Sequence, residues 1–400
     1  MASTKFTYVS YRQIFCSAGS LITLILLGAF PLGARQAPLQ GAMEQAPVPT
    51  YFKEESKPWW RPDAALDLTT ERVHLGDDVG SPFQFTRTRS RLRLRWGLGD
   101  ESNLFRTEAG ITGYLSSESN KLNLPWQDNE RNNGGILDVA NVRFRWLRAN
   151  GGVELRGGLL ENPLLSSESL WDADLRITGG AGKAFLRSEG GLVQEAGVRA
   201  LSGDVRLLAH GQVRIQAAQA VLRLETGPFS WSFHVGPWRM EARNQDATNF
   251  LRSNPSPNGA NYPDGGPSYQ NPIYNLFVVG AGVNVTEGLP FEIKALRHEN
   301  RDTNSSGGRR GQELQIWIGP RNRTWWPQVG YIRQQLDAAG ALASVNGDQW
   351  WFHANADGER YVIALSLPAR FRLEGSYVYQ RRRDSPGPVE RADFSIIRRF

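Results

Sequence analysis

The stretch that most constrains this 400-residue chain is "TRTRSRLRLRW", Thr86 to Trp96, where Arg87, Arg89, Arg91, Arg93 and Arg95 occupy every second position. A period of two is that of a β-strand, whose side chains point alternately to opposite faces. Five guanidinium groups therefore share one face, and Leu92, Leu94 and Trp96 share the other. In a soluble sandwich the apolar face of a strand packs on a dry core and the outer face meets water. A large barrel in lipid inverts this, with an apolar outer wall and a wet, charged lumen. Even one Arg at the midplane of a lipid-facing wall costs roughly 2 to 4 kcal/mol, so within a membrane the ladder can only face inward.

The same alternation recurs in "NVRFRWLR" from Asn141, "FSWSFHV" from Phe229, "FEIKALRHE" from Phe291, "FRLEGSYVYQ" from Phe371 and the closing "ADFSIIRRF", while no window sustains helical periodicity. Strands are expected to start near 64, 83, 103, 136, 151, 180, 191, 204, 229, 273, 289, 311, 322, 358, 370 and 390. Tight turns such as "ANGG", "ETGPF" and "LPAR" alternate with longer polar stretches at 117–135, 162–179, 243–272, 300–310 and 337–357. Up and down strands alternate, so the long connections fall on one rim and the short ones on the other. This parity places "DQWWFHANADGE" in a long connection. The resulting fold class is all-β: a transmembrane antiparallel barrel of about 16 strands, with short periplasmic turns and longer extracellular loops.

Trp96, Trp146, Trp231, Trp238, Trp317, Trp325, Trp326, Tyr377 and Tyr379 lie within or beside the alternating runs, where an interfacial aromatic belt would use them. Ordinary core packing is the competing explanation for them.

Residues 1–37 read as an export signal: basic Lys5 and Arg12, the apolar run Leu21 to Phe30, then small residues, with cleavage placed near Ala37. An uncleaved anchor is the alternative, although the apolar run is short for a spanning helix. The single cysteine, Cys16, precedes that run, so the mature chain would hold no disulfide. Residues 38–63, rich in proline and polar side chains, read as a periplasmic linker, and 64–400 as the barrel.

The chain carries a formal charge of +6, with its arginines scattered along it rather than gathered in a module, so no nucleic-acid partner is expected. Its five histidines lack metal-ligand spacing, and no "H-E-x-x-H" or "G-x-S-x-G" occurs, so neither enzyme chemistry, a metal nor any other cofactor is indicated. "GGAGKA" at 179–184 resembles a phosphate loop but lacks the earlier glycine and the cation-binding Ser or Thr, and is read as a turn.

The last strand places Phe394, Ile396 and the terminal Phe400 on one face, with Arg398 interrupting the series. This ending resembles the assembly signal of bacterial outer-membrane barrels, implying the barrel-assembly machinery as a partner. The order of segments, with "TRSRLRLRWGL" followed by "GGLLENPLLSSESLWDADLRITGGA", resembles the putative porin family of Gram-negative bacteria. That resemblance implies an outer-membrane location, contact with lipid, passage of small hydrophilic solutes, and a homotrimer as a candidate assembly.

For such a pore, Arg87 to Arg95, with Arg143 and Arg145, are the expected positive wall. Glu161, Glu168, Asp172 and Asp174 on the long connection after residue 160 are the candidates to fold in opposite them, giving a transverse field and a mild anion preference. Trp171 in the same stretch is either a sugar-stacking surface or an anchor for the connection. The competing reading of the whole chain is an exported, soluble all-β protein that binds or cleaves glycans.

Overall fold

The structure is a computed structural model that describes residues 63–75, 83–98, 104–118, 133–172, 175–188, 191–207, 211–243, 273–302, 308–321, 323–337, 340, 350, 355–383 and 388–399. The proposed signal segment, nearly all of the linker, Asp174 and Phe400 lie outside them.

Sixteen strands form in chain order: β1 (Asp63–Leu75), β2 (Phe83–Leu98), β3 (Phe105–Glu118), β4 (Asn133–Arg148), β5 (Gly151–Leu160), β6 (Ile177–Leu186), β7 (Val193–Leu207) and β8 (Gly211–Thr226). They continue as β9 (Phe229–Ala242), β10 (Ile273–Val285), β11 (Phe291–Asn300), β12 (Arg310–Ile318), β13 (Pro327–Leu336), β14 (Ala356–Leu367), β15 (Phe371–Arg382) and β16 (Pro388–Arg399). Each pairs antiparallel with its sequence neighbours, and β1 pairs with β16, so the sheet is a closed barrel. Closure satisfies the strand backbone without leaving a sheet edge, which is the condition a β-structure must meet in hydrocarbon. A two-sheet soluble sandwich is ruled out by the same topology.

The longest intervals between strands follow β3, β5, β9, β11 and β13, all odd-numbered strands, whose ends lie at one rim. The other rim has the tight connections, including Ala149–Asn150 between β4 and β5 and the 3-10 turn Pro368–Arg370, where Ala369 takes φ 56°.

Glycine accounts for two differences from the sequence-based expectation. The stretch 179–184 lies inside β6 rather than in a turn, and β7 runs through Gly203 to Leu207, so β8 starts at Gly211 and not near 204. Gly179 and Gly203 are direct cross-strand partners. A Cβ on Gly203 would stand 2.7 Å from the Thr178 carbonyl oxygen, so the missing side chain permits close backbone approach instead of bending the chain. At β13 the strand begins at Pro327 rather than near 322, because Trp325 adopts φ 66° and remains in the turn.

The outer wall carries exposed aliphatic side chains, among them Leu92, Ile111, Val142, Leu155, Val279 and Ile363. Trp146 and Trp326 are exposed next to the short connections, each with an arginine over its ring: Arg148 at 4.3 Å and Arg323 at 4.4 Å. Such pairs suit an interface that is apolar on one side and wet on the other. Tyr361, Tyr377 and Tyr379 are also exposed on the outer wall. Trp238 and Trp317, expected in the same belt, are instead buried, because their strand parity turns them inward, where each packs in an apolar cluster. At the closing strand Phe394 faces outward, and the Arg398 guanidinium lies 4.8 Å over the Phe371 ring rather than bare in the apolar face.

Candidate functional site

On β2 the alternation read from the sequence becomes two different environments. Leu92 is 43% exposed on the outer wall, whereas Arg89 and Arg91 are buried among interior side chains. Arg91 Nη2 lies 3.2 Å from Asp67 Oδ2 on β1, its register partner. Thr69 donates to the other oxygen of Asp67 at 3.0 Å, which fixes the carboxylate. Arg95 reaches further, with Nη2 2.6 Å from Glu161 Oε1 and 3.7 Å from Asp138 Oδ2. Arg93 shares this interior face by parity, and Arg87 lies on β2 opposite Glu71.

Glu161 opens the stretch 161–176, which crosses the interior of the barrel. Gln219 on β8 grips it by both backbone groups of Leu165, accepting from the N–H at 2.8 Å and donating to the carbonyl at 2.6 Å. Arg199 on β7 donates to the Pro163 carbonyl at 3.1 Å. Glu313 on β12 accepts from the Ser169 N–H at 2.8 Å. Arg360 on β14 clasps both oxygens of Glu168, at 3.0 and 3.2 Å. Arg176, at the far end, returns to Asp138 on β4 at 2.7 Å. A single segment can touch β2, β4, β7, β8, β12 and β14 of one closed ring only from inside it.

One side of this segment is dry. Leu164, Leu170, Trp171 and Leu175 join Ile215, Trp238, Met240 and Leu276 from the wall in one buried cluster. The rings of Trp171 and Trp238 lie 6.2 Å apart at 58°. That apolar wall belongs to strands β5 to β11, so the interior there is packed, while Glu161 reaches Arg95 on β2 and Glu168 reaches Arg360 on β14. Trp171 is therefore held inside the cluster, packed as an anchor of the segment.

The remaining candidates are distributed unevenly. Glu161 meets the ladder directly, Glu168 pairs with β14 instead, and Asp172 is buried within the segment. Arg143 is buried on β4, and Arg145, two positions on, lies 3.7 Å from Glu154 on β5. The sequence reading missed how far this basic wall extends. Arg106, Arg143 and Arg156 stand side by side on β3, β4 and β5, and Lys183, Arg199 and Arg223 continue the wall over β6 to β8. The signal was available: each sits on the same parity as a buried neighbour in its own strand.

Burial works to raise the Glu161 carboxyl pKa, but Arg95, Arg176 and Arg93 outweigh it and hold the value at about 2. A carboxyl depressed in this way keeps its pairing above its ordinary value of 4.5 and loses it only as pH falls toward 2. We expect the difference in reversal potential between the protein and its Glu161→Gln variant to persist from neutral pH past 4 and to vanish near 2. A difference already gone at pH 4 would contradict this assignment.

The grip on Leu165 predicts a second result. Gln219→Leu leaves two backbone groups unpaired in a dry region, at roughly 1 to 3 kcal/mol each. The variant should unfold at lower denaturant and show noisier open-channel current, whereas wild-type noise and stability would contradict the assignment.

No family model matches the chain, and no curated protein matches it. Among solved structures, Pseudomonas putida OprB at high pH is similar with a TM-score of 0.56 at 10% identity, over 85% of this chain and 94% of that one. Salmonella typhi OmpF in complex with daunomycin matches at 13% identity and a TM-score of 0.46, over 84% of this chain and 97% of that one. The chain thus has the fold of outer-membrane porins, in agreement with the all-β barrel and the porin resemblance read from its sequence.

Proposed function

We propose that this protein is an outer-membrane porin that lets small hydrophilic solutes diffuse passively, with a mild preference for anions. The observation that carries the reading is the internal segment 161–176. It is pinned inside a closed barrel by β8, β12 and β14, and its first carboxylate, Glu161, meets Arg95 of the ladder. A channel of this kind performs no bond chemistry; the narrowest section and the charge on its walls set what passes. Arg87, Arg89, Arg91, Arg93, Arg95, Arg143 and Arg145 supply the positive wall, and Glu161 and Glu168 the facing negative charge. Separated charges of this kind align polar solutes and disfavour apolar ones. The anion preference rests on basic side chains outnumbering acidic ones there: Glu195, for example, is shared by Lys183, Arg199 and Arg223.

In this reading residues 1–37 direct export, 38–63 form a periplasmic linker, and the exposed aliphatic wall contacts lipid. Phe394, Ile396 and Phe400 present the assembly signal to the barrel-assembly machinery, and a homotrimer is the proposed assembly. The protein should fractionate with outer membranes and run at a different apparent mass on a denaturing gel when the sample is left unheated. Recovery in the soluble periplasmic fraction would refute the reading.

A further inference from the structure

The outer wall, close to the rim where β11 ends, carries two arginines that the pore does not use. Arg297 on β11 shares the outward parity with Ile293 and Ala295, and its cross-strand partners are the uncharged Val279 on β10 and Gln312 on β12. Arg301, just past the end of β11, donates its backbone N–H to the Asn275 carbonyl and lays its guanidinium 4.0 Å over the ring of Phe277 on β10. Both arginines are exposed, and among the described residues neither is paired with a carboxylate.

The acids around them are engaged elsewhere. Glu299 lies between the two in sequence, but Arg309 at 2.8 Å and Arg310 at 3.5 Å hold its oxygens from the β12 side. Asp302 accepts from Asn275 Nδ2, and Asp337 accepts from the Arg310 backbone N–H and pairs with Arg383. On β9, Arg239 and Glu241 pair with each other at 3.1 Å.

Phe277 faces Glu299 across the sheet and Val279 faces Arg297, so Arg301 bends back over the rung next to that of Arg297. The two guanidiniums thus border a strip of β10 that runs away from the rim as Val279, Ala281 and Val283, with Ala295 and Ile293 beside it on β11. Val279 and Ile293 are exposed on the outer wall. Two cations at the edge of an apolar strip complement a molecule that is anionic at one end and hydrocarbon at the other. A guanidinium presents paired N–H donors that match phosphate oxygens, and an arginine on a lipid-facing wall is tolerated at the depth where headgroups meet it. We propose that Arg297 and Arg301 hold the phosphate of a membrane lipid whose chains lie along Val279, Ala281 and Ile293. A soluble phosphate ion would leave the apolar strip unused, so the lipid is the occupant that fits both halves of the surface. The proposal rests on the porin reading, which puts this wall in a bilayer, and adds to it one lipid contact of defined chemistry.

Native mass spectrometry of the barrel in non-ionic detergent, its folding checked by heat-modifiable migration, tests this with phosphatidic acid and with diacylglycerol of the same chains. Wild type should retain phosphatidic acid about tenfold or more better than diacylglycerol, a difference that isolates the phosphate. The Arg297→Gln/Arg301→Gln variant should lose about tenfold or more in affinity for phosphatidic acid, and Arg297→Lys/Arg301→Lys should stay within about threefold of wild type. Arg148→Gln/Arg323→Gln removes the same charge at the opposite rim and should change the affinity by less than about twofold. Equal retention of the two lipids by wild type, unchanged affinity in the Arg297→Gln/Arg301→Gln variant, an equal loss in the opposite-rim variant, or displacement by equimolar inorganic phosphate would each overturn the proposal. A barrel that conducts but shows no preference for phosphatidic acid refutes this surface alone. One that shows the preference but does not conduct refutes the porin reading alone.

Discussion

Replacing Arg89, Arg91 and Arg93 with Gln should cut the anion-over-cation permeability ratio by roughly three- to tenfold in 0.1 M salt. A unit charge about 8 Å from a passing ion in a water-filled lumen contributes about 0.5 kcal/mol, and three removed together approach a factor of ten before screening. The Debye length is about 10 Å at 0.1 M and about 3 Å at 1 M, so the effect should shrink strongly in concentrated salt. The carboxylates left behind, Asp67 and Glu161, push in the same direction once part of the ladder is gone. If the arginines serve only to brace the wall through ion pairs, selectivity will not change and stability alone will fall. The salt dependence separates these outcomes, because a bracing role gives no reason for reversal potential to vary with the variant at low salt and not at high.

Trp238→Ala is the substitution expected to cost most in stability. Trp238 is 1% exposed and packs against Trp171 of the crossing segment within the apolar cluster. Truncating a buried Trp typically costs about 3 to 5 kcal/mol, combining lost transfer energy with the cavity left behind. The cavity opens directly under the segment, so the variant should also pass current in fluctuating steps rather than at one level. Guanidinium unfolding of the vesicle-inserted barrel measures the first effect and single-channel recording the second. A loss below about 1 kcal/mol would mean that the segment does not depend on this cluster.

Much of the barrel was legible in the sequence because period-two alternation is a local property. The ladder from Arg87 to Arg95 gives both the strand and its orientation, and alternation with turn chemistry gives the number of strands and the place of most of them, though not the starts of β8 and β13. Two of the misplacements come from glycines inside strands, and the third from the turn that Trp325 holds at φ 66°. Gly179, Gly203 and the residues around Trp325 carry turn-like signals, yet a glycine within a strand can serve close backbone approach, and only the paired strand reveals which use applies.

The site was less legible because it is built from long-range contacts. Glu161 could be expected opposite the ladder, being a carboxylate at the start of the long connection after β5. The destination of Glu168 on Arg360, 192 residues away, depends on where the crossing segment ends. Trp171 and Trp238 illustrate the same limit: an inward and an outward tryptophan look alike until strand parity is fixed relative to a packed segment. Parity also decides that Lys183, Arg199 and Arg223 belong with the ladder's charges, though they lie about a hundred residues beyond it.

Purified, heat-modifiable protein in a planar bilayer under a salt gradient tests the central claim most directly. The account predicts stepwise ohmic currents whose reversal potential has the sign of modest anion selectivity. Silent membranes from correctly folded protein, or a reversal potential of cation sign, would contradict it.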